Sequence, residues 1–320
     1  MPELDVIIVS HGDGHWLDAC LSSLDERSGG CAYEVVVVEN GPPEAAPPPQ
    51  ALRRPRIRCM RVANRGFAAA NNAGLRVTAN PFVLFLNPDT QLVAGTLADA
   101  VAELAAMPEV GLLATRQLTS DGAVYPSLRR YPSVSRALAQ ALGSERWPLV
   151  RGRVGERILD RDQYERAREC DWTTGAVMLA RRDALVSAGD FDERFFLYCE
   201  ETDLCLRITQ AGWRIMYSPH VGFVHHAGKA GVNARREAQA GYARAQYAHK
   251  HFSRPRATVY RLALALGEAL RVTAAGGPAT PSGSASLAAL QSLLGLKGSP
   301  FQPAATVADR AGGAGEAGGC

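Results

Sequence analysis

Short apolar runs alternate with stretches of helical spacing through the first third of the chain. VIIVS, after Asp5, reads as a buried strand, β-branched and closed by the turn-like HGDG. Trp16, Leu17, Cys20, Leu21 and Leu24 then recur at helical intervals. A second strand follows in VVVVE after Glu34, a Pro-rich stretch runs from Gly41 to Pro55, and a third strand lies around Ile57 to Val62. Gly66 to Thr78 has helical character, and VLFLN after Phe82 is a fourth buried strand. A helix from about Ala94 to Ala106 and a strand at Gly111 to Ala114 complete the run. Apolar strands alternating with helices predict an α/β fold, a mostly parallel sheet covered by helices on both faces. Ligands of such sheets sit beyond the carboxyl ends of the strands. That rule singles out Ser10 and His11, Glu39 and Asn40, and Asn87-Pro88-Asp89.

The stretch from Leu118 to Glu169 is irregular, Arg-rich and punctuated by Pro. Order resumes at Trp172, with an apolar segment GAVMLA, a Gly189-Asp190 turn, a helix from about Glu200 to Ala211 and a short strand near Ile215 to Ser218. Beyond Gly231 the pattern is helical and basic to about Val272, and from Ala274 onward Ala, Gly, Ser and Pro dominate. The expected organisation is a catalytic unit at 1–231, a basic helical segment at 232–273, and a disordered tail at 274–320 with a brief helix at Leu287 to Leu296.

Composition narrows the class. Among 320 residues, 47% are hydrophobic and 21% charged, which excludes wholesale disorder. No apolar run approaches the roughly 20 residues of a spanning helix. MPELDVIIVS carries acids and no basic residue before its apolar run, unlike a secretory signal. The seven cysteines are scattered, odd in number and never spaced CxxC, which argues against a disulfide framework and for a reducing cytoplasm. The net charge of +3 hides an asymmetry. Nine Lys/Arg against two Glu between Gly228 and Val272 give that segment +7 and leave the rest at −4. A local excess of this kind suggests an anionic surface as partner, a solvated helix face being the plain alternative. Nucleic acid is disfavoured, because the basic positions are interleaved with few aromatics, Tyr242, Tyr247 and Phe252 among them.

Four constellations could carry chemistry. In Leu86-Asn87-Pro88-Asp89-Thr90 a hydrophobic strand ends in a carboxylate well placed to hold a hard divalent cation, unless Asp89 merely caps a turn. Glu200, Glu201 and Asp203 head a helix behind packed aromatics. Glu200, Asp203, Arg207 and Gln210 share one face, whereas Glu201 stands over Leu204, Cys205 and Ile208. A carboxylate heading an apolar stripe is desolvated and suited to accept a proton, so Glu201 is favoured as base. His225 and His226 could ligate a metal through neutral imidazole, and on an extended segment only one of them can face the site. Gly66 opens a helix, NRGFAAANNAG, whose free amides could meet phosphate or ribose through Asn64, Gly66 and Asn72; close packing of small residues on the sheet is the ordinary alternative. Glu39 and Asn40 could hydrogen-bond a ribose or base.

Together VIIVS with CLSSL, VVVVEN, NRGFAAANNAG, FLNPDT, WTTGAVMLARRDAL, GDFDERFFLYCEETDLCLR, AGWRI and PHVGFVHH resemble the glycosyltransferase family 2 enzymes of the GT-A, Rossmann-like fold, in their bacterial rhamnosyltransferase-like branch. The resemblance runs in order from about residue 4 to 229. It implies inverting transfer from a nucleoside-diphosphate sugar, dTDP-rhamnose being the nearest donor, to a hydroxyl of a glycan or polyprenyl-linked acceptor in cell-wall or polysaccharide synthesis. Asp89 matches the metal-binding Asp, with Asn87 at the other position of the motif, and His225 matches a downstream ligand of Mg²⁺ or Mn²⁺. Glu201 matches the base, Ser10 and Glu39 match nucleotide contacts, and Trp172, Gly175 and Asp192 fall in the acceptor and sugar vicinity. The family's usual Glu-Asp pair is here Glu200-Glu201, which leaves open which acid acts; the acid at position 39 is more often Asp, and Ala230 replaces a common Ser. Location would be cytoplasmic, peripheral on the inner membrane face. Two rivals stand beside this: a sugar nucleotidyltransferase, although SHGDGHWLDA lacks the basic residue expected after its first strand, and a non-catalytic membrane-associated scaffold.

Overall fold

The computed structural model describes residues 3–12, 14–42, 54–144, 153–226, 233–301 and 318–319. The domain boundary at 231, most of the Pro-rich stretch after Gly41 and most of the tail beyond 301 lie outside the described residues.

In order, the elements are β1 (Leu4–Ser10), α1 (Gly14–Glu26), β2 (Tyr33–Glu39), β3 (Ile57–Arg61), α2 (Phe67–Leu75), β4 (Phe82–Leu86), β5 (Thr90–Ala94), α3 (Leu97–Ala105), β6 (Val110–Leu118), β7 (Leu128–Arg129), α4 (Val134–Ala141), β8 (Arg168–Glu169), β9 (Trp172–Thr173), β10 (Val177–Arg181), α5 (Arg182–Ala188), α6 (Glu200–Gln210), β11 (Arg214–His225), α7 (Ala234–His251), α8 (Arg254–Ala274), α9 (Pro281–Leu293) and β12 (Gly318–Gly319). The large sheet has the order β12-β3-β2-β1-β4-β10-β6-β11-β5, with β8 against β11. Strands β3, β2, β1 and β4 are mutually parallel, as are β6 and β11, while β10 is antiparallel to both its neighbours and β5 antiparallel to β11.

Period-two alternation divides the strands between two cores. Leu4, Val6, Ile8, Val35, Val37, Leu84 and Leu86 face α1 and α3, whereas Ile7, Val9, Val36, Val38, Val83 and Phe85 face α2, α5 and α6. With both faces covered, the strands read as unbroken apolar runs. The carboxyl ends of β1, β2 and β4 therefore lie along one edge.

A third cluster joins α4 to α8 and α9 through Ala137, Tyr260, Leu264 and Leu293. The composition from Ala274 onward suggests disorder, yet α9 starts at Pro281 and buries Ala285, Ala289 and Leu293. Small residues make this possible, since a Cβ added at Gly241 of α7 would stand 2.6 Å from Ala289 O. Five cysteines (20, 31, 170, 199 and 205) are free, and Cys59 forms a disulfide that the scattered spacing does not signal.

Candidate active site

Antiparallel pairing builds the first half of the site. His225 of β11 stands opposite Thr90 of β5, and His226 N donates to Asp89 O at 2.8 Å. Asp89 and His225 thus meet, with His225 Nε2 3.2 Å from Asp89 Oδ1 and 3.4 Å from Asn87 Nδ2. That nitrogen can either donate to the carboxylate or accept from the amide, and cannot do both. An imidazole nitrogen and a carboxylate are both ligand types that a divalent cation takes, so the donor set would fit one. Among the described residues no third His, Cys, Asp or Glu joins them. Two protein ligands suit Mg²⁺, which is commonly held by one or two carboxylates plus substrate phosphates. His226 turns the other way, its Nε2–H donating to Gln91 Oε1 (2.7 Å) and its ring stacking on Trp16 with centroids 4.5 Å apart.

Beside this pair, the tips of β1 and β2 hold unsatisfied oxygens. Ser10 and Glu39 are fully buried, and neither Ser10 Oγ nor Glu39 Oε2 has a partner. Glu39 Oε1 accepts Gly41 N–H at 2.8 Å, and His11 Nδ1 lies 3.2 Å from Asn40 Oδ1. Buried orphan acceptors are costly without a ligand, so these two residues suit hydroxyl donors such as those of a ribose.

The acids adjoin the turn that bonds to the tip of β4. Asn87 N donates to Ala176 O at 2.9 Å, and Glu201 packs against the neighbouring Gly175, where an added Cβ would stand 3.7 Å from Glu201 Cβ. One backbone bond therefore ties the strand tip bearing Asp89 to the turn beside Glu201. Tyr198 (φ 68°) and Cys199 (φ 65°) are consecutive left-handed residues immediately before Glu200. Neither is glycine, so the turn stores roughly 1–3 kcal/mol at each position. Glu200 and Glu201 each keep one oxygen, Oε2, without a partner. Burial pushes both carboxyls above the usual range, but their surroundings differ. Glu201 is drawn back by its own amide, the Arg129 guanidinium and the amides of Thr202 and Gly175. Glu200 is raised further, by burial and then by the charge of Glu201. The asymmetry favours charge on Glu201 and a proton on Glu200.

Arg129 carries no signal in the sequence beyond an Arg-rich stretch. It donates to Pro126 O and Leu128 O and lies 6.0 Å over the Trp172 ring. Trp172 itself is spent structurally, its indole N–H donating to Arg130 O at 3.0 Å.

Three residues expected to meet ligand are engaged by the protein itself. Asn72 has no spare group, since its amide donates to Phe191 O (2.9 Å) and Glu193 Oε1 (3.2 Å) and accepts from Phe191 N (3.1 Å). The unsatisfied amide oxygen belongs to its neighbour Asn71. Gly66, at φ 101°, is required by the close passage of Phe196, whose carbonyl would overlap a Cβ there. Phe67 N donates to that same carbonyl at 2.8 Å, so the helix start is plugged by protein rather than open to phosphate; Asn64 accepts Gly66 N–H at 3.2 Å and shapes that turn. Asp192 is engaged by Arg194 Nη2 and Lys250 Nζ, each at 2.6 Å, which against the effect of burial hold it well below the usual carboxylate range.

The chain resembles known proteins in sequence and in fold. The sequence profile of Glycosyl transferase family 2 matches residues 5–162. Over 239 residues the chain is 31% identical to N-acetylglucosaminyl-diphospho-decaprenol L-rhamnosyltransferase of Mycobacterium tuberculosis, covering 70% of this chain and 76% of that protein. It is 26% identical over 243 residues to rhamnosyltransferase WbbL of Escherichia coli K12, covering 69% and 83%. Among solved structures, mannosyltransferase PcManGT from Pyrobaculum calidifontis, in complex with GDP-Man and Mn²⁺, superposes with a TM-score of 0.55 at 15% identity, covering 92% of this chain and 88% of that one. S. aureus TarS gives 0.52 at 15% identity, covering 86% and 45%.

Proposed function

The chain belongs to glycosyltransferase family 2, in its rhamnosyltransferase-like branch, and from that premise we propose that it moves rhamnose, with inversion, from dTDP-rhamnose to a hydroxyl of a glycan or polyprenyl-linked acceptor. The observation that carries the proposal is the 3.2 Å approach of His225 to Asp89 at the edge where a sheet of this kind receives ligands.

In this reading Ser10 and Glu39, with Asn40 beside them, receive the nucleoside, and Asp89 with His225 would hold Mg²⁺ or Mn²⁺. The bound cation supplies charge neutralisation for the departing nucleoside diphosphate. Glu201 takes the proton of the acceptor hydroxyl through its unpartnered Oε2 as that oxygen attacks the anomeric carbon from the opposite face. Glu200, kept protonated, adds no second negative charge near the attacking oxygen. Positive charge developing on the sugar ring would be oxocarbenium-like, and the Glu201 carboxylate faces it. The acceptor class is supported by the name of the mycobacterial relative, a decaprenol-linked transferase.

We also assign the C-terminal segment to the membrane surface. Val259, Leu262, Leu266 and Leu270 form an exposed aliphatic stripe on α8, and Leu138 and Leu142 are exposed on the adjoining α4. Arg254 and Arg256 are exposed at the start of α8, and each could add about 1 kcal/mol near anionic lipid. Among the described residues no helix is long and apolar enough to cross a membrane, and the contact proposed is peripheral, on the inner membrane face.

The deciding experiment offers dTDP-rhamnose and an N-acetylglucosaminyl-diphospho-polyprenol to the protein, with Mn²⁺ or with a chelator, and follows both nucleotide and glycolipid. Release of dTDP with a rhamnosylated product, abolished by the chelator, is the expected result. Metal-independent turnover would overturn the role given to Asp89 and His225, and no consumption of any nucleotide sugar would return the scaffold reading.

A further inference from the structure

Lys250 closes a loop around the acids. Its Nζ lies 2.6 Å from Asp192 Oδ2 and 2.5 Å from Asp203 Oδ1. Between those two carboxylates runs Glu193 to Thr202, the segment that contains the left-handed Tyr198–Cys199 turn and both candidate acids. The Asp203 side chain is 0% exposed and those of Asp192 and Lys250 are 14% and 20% exposed, so the ammonium bridge is shielded from water. Lys250 is the penultimate residue of α7, in the segment that sequence separates from the catalytic unit.

The same helix fastens the loop twice more. His251 Nε2 lies 2.7 Å from Asp203 Oδ1, and Gln239 Nε2 donates to Leu197 O at 3.1 Å. Arg207 Nε holds the second oxygen of Asp203 at 2.8 Å. A turn with two successive left-handed side-chain-bearing residues persists only where its surroundings over-determine it. Here the over-determination comes largely from α7. One ammonium shared by carboxylates at both ends also removes the freedom of the intervening chain. Neither Glu200 nor Glu201 is bonded to Lys250, so any influence on them passes through the two aspartates.

We propose that Lys250 is a positioning residue for glycosyl transfer, clipping Asp192 to Asp203 so that the loop between them holds Glu201 in the direction from which it meets the acceptor hydroxyl. The C-terminal helical segment is then part of the catalytic apparatus. The inference rests on Glu201 being the base, and its test has one arm that does not.

The full chain carrying Lys250→Met or Lys250→Arg is compared with the unaltered chain by amide hydrogen exchange and by steady-state kinetics. In Lys250→Met, amides within 193–202 exchange faster while those of β1, β4 and β11 keep their protection. Turnover falls by up to about 10²-fold, as expected when a reacting group is misplaced by an ångström, while the donor KM changes little. The acidic limb of the kcat profile moves, and Lys250→Arg restores most of the loss. Unchanged exchange in 193–202, or a defect confined to donor KM, would refute the clip. Should Lys250→Met fail to fold, Asp192→Asn removes one arm of the bridge and gives the same readouts. Faster loop exchange without any change in kcat keeps the clip and removes Glu201 as the base.

Discussion

The imidazole of His225 reaches the carboxylate of Asp89 because β11 and β5 run antiparallel, which places the end of one strand opposite the start of the other. Residues far apart in sequence are thereby held at 3.2 Å by backbone hydrogen bonds rather than by side-chain reach. A pair built on paired strands is rigid, and that rigidity would favour tight coordination of the proposed cation.

Removing either member should abolish metal-dependent turnover. Asp89→Asn and His225→Ala are each expected to lower kcat/KM by at least ~100-fold, on the scale of losses seen when metal-site groups are altered. Titrating Mn²⁺ in the presence of dTDP by calorimetry separates cause from effect: heat from nucleotide alone persists, and the metal-linked heat disappears. Full Mn²⁺ coupling in His225→Ala would remove that residue from the site.

The two acids should separate in their kinetics. Glu201→Gln is expected to reduce kcat by about 10²–10⁴-fold, the contribution typical of a general base, and Glu200→Gln by far less. Because burial raises the Glu201 carboxyl, kcat should decline on acidification at a pH above the ordinary glutamate value of about 4.3. A pH–rate profile flat down to pH 5, or equal losses in the two variants, would contradict the assignment.

Glu200 also bears on stability. Its carboxyl is raised in the folded protein, so the native state holds a proton that the unfolded chain has released. Stability is complete below the unfolded value of about 4.3 and is lost as pH rises towards the folded one. Glu200→Gln lacks that loss, so its melting temperature should change less than that of the parent between pH 5 and pH 8. Parallel curves would mean that Glu200 is charged in the native protein.

Gly66→Ala should destabilise the loop as well as the helix it opens. The residue sits at φ 101° and a Cβ would overlap the Phe196 carbonyl, so about 1–3 kcal/mol is expected from the backbone strain alone. Chemical denaturation reads that loss, and fluorescence of bound nucleotide analogues tells whether the donor pocket survives it.

Charging the aliphatic stripe tests the surface assigned to lipid. Leu262→Glu with Leu266→Glu should lower co-sedimentation with anionic vesicles at low salt while leaving the melting temperature within a few degrees, since both side chains are exposed at 54% and 45%. Equal binding of the altered and unaltered chains would move the contact elsewhere.

Sequence alone locates β1, β2 and β4, because a strand buried on both faces reads as a run of Val, Ile, Leu and Phe. It also locates the polar residues at their tips, Ser10, Glu39 and Asp89, where the run breaks. It does not reveal β5. Thr90–Ala94 follows a Pro-Asp turn and precedes a helix, and among the described residues it pairs with β11, far along the chain. Asn72 looks like a ligand contact in sequence and is a clamp in three dimensions, because the carbonyl and amide of Phe191 that saturate it come from a distant loop. Arg129 and Lys250 are invisible for the same reason. A basic residue announces its charge, and only the folded chain shows which carboxylate it serves. The helix α9 is legible only in part, as the brief helix expected at Leu287 to Leu296, since Ala, Gly and Ser suggest a flexible tail until a partner helix approaches closely enough to use their small size.

The pairing of β11 with β5 has a consequence for how the protein is made. Strand β11 is wedged between β6 and β5, both of which are synthesised long before it. Until the ribosome releases residues 214–225, β5 has no neighbour to bond and Asp89 has no imidazole beside it. A nascent chain ending at residue 162, where the family profile stops, would carry Asp89, one half of the proposed cation site, and lack Glu201, the proposed base. Catalytic competence therefore arrives late and all at once, so that a prematurely terminated or proteolytically shortened copy would be silent rather than partly active.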